Sequence, residues 1–190
     1  MPKNFSTNNA SGKRKASDFY ETPYSLTRLF LQQEAFSGVT LEPACGNLAI
    51  CSLLDEFNLA YDNYDIQDPW KVNFLNESNL YDNVITNPPF SLALEFIQKS
   101  KQISKAKIAM LLPLSYLHGK ERFDKVWQDT AFPLKKIYVF TRYPLLGEPL
   151  RLDGKHNTGM MVYAWYVWEK SYIGDPTISW LDNNPFILKN

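Results

Sequence analysis

Tyr81-Asp82-Asn83-Val84-Ile85-Thr86-Asn87-Pro88-Pro89-Phe90 runs from a buried-strand pattern straight into two prolines. Apolar and β-branched residues over 81–86 predict a short strand, and the prolines that follow can neither continue a ladder nor donate to one, so the strand must stop there. Similar apolar runs lie on either side, at Val39–Leu41 and Leu59–Ile66 upstream and Lys107–Leu112 downstream. Helical spacing alternates with them. Tyr24, Leu26, Leu29, Phe30 and Phe36 predict a helix from Pro23 to near Gly38, with Thr22 as its N-cap. Ile50, Leu53, Leu54 and Phe57 give a second, 91–103 a third and 119–128 a fourth. Repeated β-then-α order predicts an α/β fold, with a mostly parallel sheet, helices on both faces and a ligand crevice at the carboxyl ends of the strands. The rhythm ends with two strands, 136–141 and 160–168, which are expected to pair antiparallel across a long polar connection.

Placed at a strand's carboxyl end, Asn87-Pro88-Pro89-Phe90 is a candidate site. The side-chain oxygen of Asn87 and the carbonyl of Pro88, held by rigid backbone, form a pair of acceptors suited to an NH2 group. An amine conjugated to a ring is a poor nucleophile; two hydrogen bonds from its protons favour a pyramidal nitrogen whose lone pair can attack. Phe90 offers a face to the ring. The same tetrapeptide also serves as a proline-stiffened turn with no chemistry.

Leu41-Glu42-Pro43-Ala44-Cys45-Gly46-Asn47 again lies where a strand passes into a helix. Gly46 permits close backbone approach to a ligand, and Glu42 is an acceptor for a cationic or hydroxyl group. Leu48 stands where a G-x-G turn would carry its second glycine, and its Cβ is expected to resist a positive φ. Asp65, 19 residues after Gly46, occupies the place from which an acidic side chain accepts from ribose hydroxyls, a place equally open to an ordinary surface carboxylate.

The chain has 190 residues, 45% of them hydrophobic and 15% aromatic, enough for one globular domain with a sizeable core. Two cysteines and two histidines provide neither a disulfide framework nor a zinc-ligand spacing. No apolar run has the length of a membrane span, and the polar start does not resemble a signal peptide, so a cytoplasmic, metal-free protein without membrane contact is expected. The net charge of zero conceals segment charges of +4 over 1–17, −2 over 18–38, −8 over 39–97 and +6 over 98–190. Residues 1–17 read as a disordered basic arm whose Lys13, Arg14 and Lys15 could touch phosphate. Arg142, Arg151, Lys155 and His156 gather in the late connection, as solvated charge or as phosphate contacts. The run Tyr163, Trp165, Tyr166, Trp168 reads first as sheet core and second as a base-stacking platform.

In order, DFYETP (18–23), LEPACGN (41–47), YDI (64–66), NFL (73–75) and NPPF (87–90) resemble the motif series of class I S-adenosylmethionine-dependent N6-adenine DNA methyltransferases. The tail from FTRYPLLGEP through GMMVYAWYVWEKSYIGDPTISW is similar to the small phage and plasmid forms of that family, so the likeness covers residues 18 to about 180. It implies a Rossmann-like fold with a seven-stranded, mostly parallel sheet whose last strand is antiparallel, in one domain (18–190) without a separate target-recognition domain. Tyr20, Thr22 and Pro23 would lie against the methionine end of the cofactor, and Glu42, Pro43, Ala44, Cys45 and Gly46 would wrap it. Asp65 with Ile66 would bind its ribose, and Asn73 with Phe74 its adenine end. Asn73 replaces the family's usual Asp; its oxygen still accepts from an amine.

Asn87, Pro88, Pro89 and Phe90 would hold a flipped adenine for direct methyl displacement at N6. The implied partners are DNA, touched by Arg142, Arg151, Lys155 and the basic arm, and a protein supplying sequence specificity. Competing substrates are an amine in RNA and a protein glutamine; relatives that modify glutamine generally carry Tyr after NPP, so Phe90 favours a base. An inactive methyltransferase-fold protein that binds nucleic acid is the third reading.

Overall fold

The structure, a computed structural model, describes residues 22–67, 72–142 and 162–183. The basic arm with Lys13, Arg14 and Lys15, and also Tyr20, Arg151, Lys155 and His156, lie outside the described residues.

Seven strands form one sheet: β1 (Thr40–Glu42), β2 (Tyr61–Asn63), β3 (Tyr81–Thr86), β4 (Ser104–Pro113), β5 (Leu134–Phe140), β6 (Tyr163–Glu169) and β7 (Thr177–Leu181), in the order β2-β1-β3-β4-β6-β5-β7. The β2/β1, β1/β3, β3/β4 and β5/β7 pairs are parallel. β6 runs antiparallel to both of its neighbours, β4 and β5. The antiparallel strand is thus the next to last in the chain, and the closing segment after it adds β7 alongside β5.

Central strands are apolar on both faces because helices cover both. On one face α1 (Tyr24–Gln33) and α2 (Ala49–Glu56) pack over Ile85, Ala109, Leu111, Tyr138, Trp165 and Val167. Phe30 of α1 stacks on Trp165 with ring centroids 4.6 Å apart. On the other face α3 (Ala93–Ile103) covers Val84, Ile108, Met110 and Leu112, while Trp127 lies flat on Trp168 at 6.1 Å. Trp165, Tyr166 and Trp168 have no exposed surface, so the aromatic run is core and no base can stack on it.

Three local expectations change. The first helix begins at Tyr24 with Pro23 as its N-cap, and proline has no side-chain oxygen to cap with; Thr22, one place earlier, bonds Asn87 instead. β2 shrinks to three residues, since it lies at the sheet edge and pairs with only the three residues of β1. Residues 119–128 form a short α4 (Lys120–Arg122) that widens into a π-helical turn, Phe123–Trp127, with Val126 buried and Trp127 set against Tyr166 and Trp168.

The far end of α1 is pinned at the opposite end of the strands, where β4 and β5 begin and β6 ends. Buried Glu34 pairs with Lys107 and accepts the Tyr138 hydroxyl at 2.7 Å, and Lys135 bonds Glu169 at 2.7 Å beside it. With Glu34 buried and its basic partners partly exposed, the cluster adds little net stability but ties the end of α1 to β4 and β5. The start of α1 is therefore held over the carboxyl ends of the strands.

Candidate active site

The chain leaves β1 toward β2 on one side and later enters β3 on the other, so the sheet order reverses beside β1. A crevice opens at such a point. Here it is a cleft of about 920 Å³ including its open mouth, lined from the segments that follow β1, β2 and β3 and by Thr22.

The β1 loop is set by close backbone bonds. Leu48 N–H donates to the Cys45 carbonyl at 2.7 Å, and the Leu48 carbonyl accepts from both the backbone N–H and the hydroxyl of Ser52, each at 2.9 Å. These bonds hold Leu48 at φ +62° as the N-cap of α2. The expected resistance to positive φ is overridden, at a cost of roughly 1–2 kcal/mol. The isobutyl group is 47% exposed and is not part of the cleft wall, so Leu48 strains the turn without filling the site.

Asp65 follows β2 and braces this loop, its Oδ2 accepting from Gly46 N–H at 3.0 Å and its Oδ1 from Gln67 N–H at 2.8 Å. Glu42 sits one hydrogen bond behind the wall, since its Oε1 accepts from Ala44 N–H at 3.0 Å and from the Thr86 hydroxyl at 2.7 Å. Its Oε2 is buried with no hydrogen-bond partner, and burial pushes the carboxyl up to about 8.

At the other end of the cleft Asn73 is exposed and caps the short helix Phe74–Asn76, its Oδ1 accepting from Leu75 N–H at 3.0 Å. That oxygen reaches a further donor only through its second lone pair. Phe74 is buried against Phe96, with centroids 4.7 Å apart.

Asn87 Nδ2 donates to Thr22 Oγ1 at 2.9 Å, so the amide's donor corner faces α1's entry and its oxygen is the opposite corner. The helix start uses Pro89, whose carbonyl accepts from Leu92 N–H at 2.9 Å, and leaves Pro88 at the strand's end. The half-buried Phe90 ring rests on Tyr163 at 5.5 Å.

The structure brings Thr22, Pro43, Ala44, Cys45, Gly46, Asp65, Ile66, Asn73, Phe74 and Asn87–Phe90 to one cleft wall. Pro23 is buried beside it and Glu42 beneath it, neither in the wall itself. Sequence reasoning missed Asn47, Ala49, Ile50, Gln67, Val72, Leu92 and Phe96, which also line it. Asn47 and Gln67 adjoin predicted residues, whereas Ile50 and Phe96 carry only the signal of helix core. Arg142 is exposed at the carboxyl end of β5, where Asn183 accepts from its N–H at 3.1 Å and donates to its carbonyl at 2.8 Å.

No family model and no curated protein matches the sequence. Solved structures do match. A modification subunit of a putative type I restriction enzyme from Vibrio vulnificus YJ016 superposes with a TM-score of 0.59 at 15% identity, over 86% of this chain and 47% of that one. Magnesium protoporphyrin IX methyltransferase from Synechocystis PCC 6803, with SAM bound, gives 0.51 at 13% identity, over 77% and 76%. The fold is that of a class I methyltransferase. A predicted O-methyltransferase from Agrobacterium tumefaciens shares it, with a TM-score of 0.54 at 11% identity over 85% and 86%. The chain spans about half the length of the Vibrio subunit. Within this methyltransferase fold the Asn87–Phe90 turn and the Gly46 loop end neighbouring strands, β3 and β1, and so share the cleft at the switch point.

Proposed function

We propose that this chain transfers a methyl group from S-adenosylmethionine to the N6 amine of adenine in DNA. One observation carries the reading: Asn87-Pro88-Pro89-Phe90 ends β3 in the same cleft as the Gly46 loop and Asp65. A turn suited to an amine and the crevice at the switch point thus open on one space.

The residues present fit the cofactor. The buried Glu42 Oε2 has no partner behind the loop; burial keeps the carboxyl protonated, and a cationic group brought close would favour the carboxylate and turn this oxygen into an acceptor, while the bare backbone of Gly46 allows close approach. Thr22 would hold the methionine end, Pro43 to Gly46 the middle, Asp65 the ribose, and Ile66, Asn73 and Phe74 the adenine end. When bound, the cofactor supplies an electrophilic methyl group on sulfur. Asn87 Oδ1 and the Pro88 carbonyl accept the two N–H bonds of the target amine and stabilise the positive charge that grows on its nitrogen during attack. Phe90, backed by Tyr163, stacks on the base.

Phe90 in place of Tyr, and the likeness to a restriction-modification subunit, support a DNA base over a glutamine. Flipping a base out of a duplex costs a few kcal/mol, and a chain with no net charge has little electrostatic attraction to offset it. A protein partner that supplies specificity, together with phosphate contacts from Arg142, Arg151, Lys155 and Lys13–Lys15, fits that need. Labelled methyl transfer to DNA, RNA and protein substrates tests the proposal. Label in DNA adenine is expected; label only in RNA or protein would reassign the substrate, and absence of S-adenosylhomocysteine binding would leave an inactive scaffold.

A further inference from the structure

We infer that Glu42 is a specificity-determining residue of the cleft that exchanges its proton for a cationic ligand: the cation takes the proton's place beside the carboxyl, and the proton leaves to solvent. The inference rests on the proposed use of S-adenosylmethionine and deepens it. Glu42 has no exposed surface, and it ties two segments of the cleft together. Its Oε1 is taken by Ala44 N–H, in the cleft wall, and by the hydroxyl of Thr86, the residue before Asn87. Its Oε2 has no hydrogen-bond partner. A buried oxygen in that position is costly whether it carries a proton or a charge, and a group arriving in the cleft relieves the cost.

The surroundings of Glu42 decide which group that is. The loop after β1 brings the Cys45 thiol, α2 the Cys51 thiol, the end of β2 the Asp65 carboxylate, and β3 the neutral Thr86 hydroxyl. Among the described residues Glu42 makes no ion pair, and the Asp65 carboxylate opposes a second negative charge, so burial keeps the proton on. An uncharged ligand leaves that state alone. A positive charge beside the carboxyl draws it back toward the ordinary carboxylate range, and the proton is released. S-adenosylmethionine carries two positive groups, the α-ammonium and the sulfonium; S-adenosylhomocysteine keeps only the ammonium, and adenosine has neither.

Calorimetry of the full-length chain in buffers of different ionisation enthalpy counts the protons released per ligand bound. The measurement belongs at about pH 6.5, where Glu42 is still protonated and the ligand's ammonium is already charged. S-adenosylmethionine should release about 0.2–0.9 of a proton and adenosine none, and affinity for S-adenosylmethionine should rise about 3- to 50-fold between about pH 5.5 and 7.5. Glu42→Gln should release none and lose that pH dependence. In the wild-type protein, the infrared carbonyl band of a protonated carboxyl should weaken as S-adenosylmethionine binds, a readout that needs no variant. Release by S-adenosylhomocysteine as well supports the ammonium as the exchanging cation, and release by S-adenosylmethionine alone supports the sulfonium. Binding of S-adenosylmethionine without proton release, equal release by adenosine, or equal release in Glu42→Gln overturns the inference and leaves the proposed methylation standing. If neither S-adenosylmethionine nor S-adenosylhomocysteine binds, the cleft is not a cofactor site, and the methylation falls together with the inference.

Discussion

Asp65 Oδ2 accepts the Gly46 main-chain N–H at 3.0 Å, so the carboxylate that follows β2 also fixes the loop that leaves β1. A residue read from sequence as a ribose acceptor has a second duty, and the two can be separated. Asp65→Ala should weaken S-adenosylhomocysteine binding by about 1–3 kcal/mol in calorimetry, and hydrogen exchange at Gly46 should accelerate. Unchanged affinity with faster exchange would leave Asp65 as a loop brace only.

Glu42 makes stability depend on pH. Its carboxyl is pushed by burial from the ordinary 4.5 up to about 8. Below 4.5 both folded and unfolded chains hold the proton; between 4.5 and 8 only the folded chain does, so stability falls as pH rises through that window. The loss is on the order of 4 kcal/mol. Glu42→Gln, which keeps an acceptor for Ala44 N–H and Thr86, should flatten the melting temperature across this range and exceed wild type at pH 8. A wild-type profile that is already flat would contradict the assignment.

Leu48→Gly should stabilise the protein by about 0.5–1 kcal/mol, because glycine adopts the +62° φ without penalty and the exposed isobutyl group gives up little burial. Thermal melting measures this. Affinity for S-adenosylhomocysteine should stay within about twofold, and a drop in both would mean that Leu48 packs against the loop.

If Asn87 holds the target amine as proposed, Asn87→Ala should cut methyl transfer by about 10²- to 10³-fold with cofactor binding nearly intact, because the acceptor lost would act on the amine in the transition state. Turnover above about a tenth of wild type would move the amine-holding role elsewhere.

Neutralising Arg142, Arg151 and Lys155 together should weaken DNA binding similarly across sequences and reduce the salt slope by about three contacts. A salt slope that stays as steep as wild type would shift DNA contact to the basic arm or to a partner protein.

Elements whose own residues carry their environment were legible in the sequence. β3 and β4 announce themselves by apolar runs buried on two faces, and Asn87–Phe90 by prolines that no central strand could continue through. Features set by distant partners were not. Thr22 before Pro23 satisfies every local rule for a cap, yet its partner is Asn87. Leu48 violates a local rule and is held in place by Cys45 and Ser52. β7, half exposed with Ile178 and Trp180 facing solvent, lacks a core strand's pattern and exists only through pairing with β5.

The place of β6 between β4 and β5 has a consequence for biosynthesis. β4 ends at Pro113 and β5 at Phe140, but the strand that joins them starts at Tyr163. Until residues 163–169 leave the ribosome, β5 has no neighbour in the main sheet, and neither the layer of Ile108 and Ile137 nor that of Leu111 and Tyr138 can close. At about 5–20 residues per second, the interval between the emergence of β5 and of β6 lasts a few seconds, with the free edge of β4 and both edges of β5 open to other nascent chains. Slower translation across residues 143–161 would lengthen that exposure, so the yield of soluble protein should respond to codon choice there more than in the stretch encoding α2.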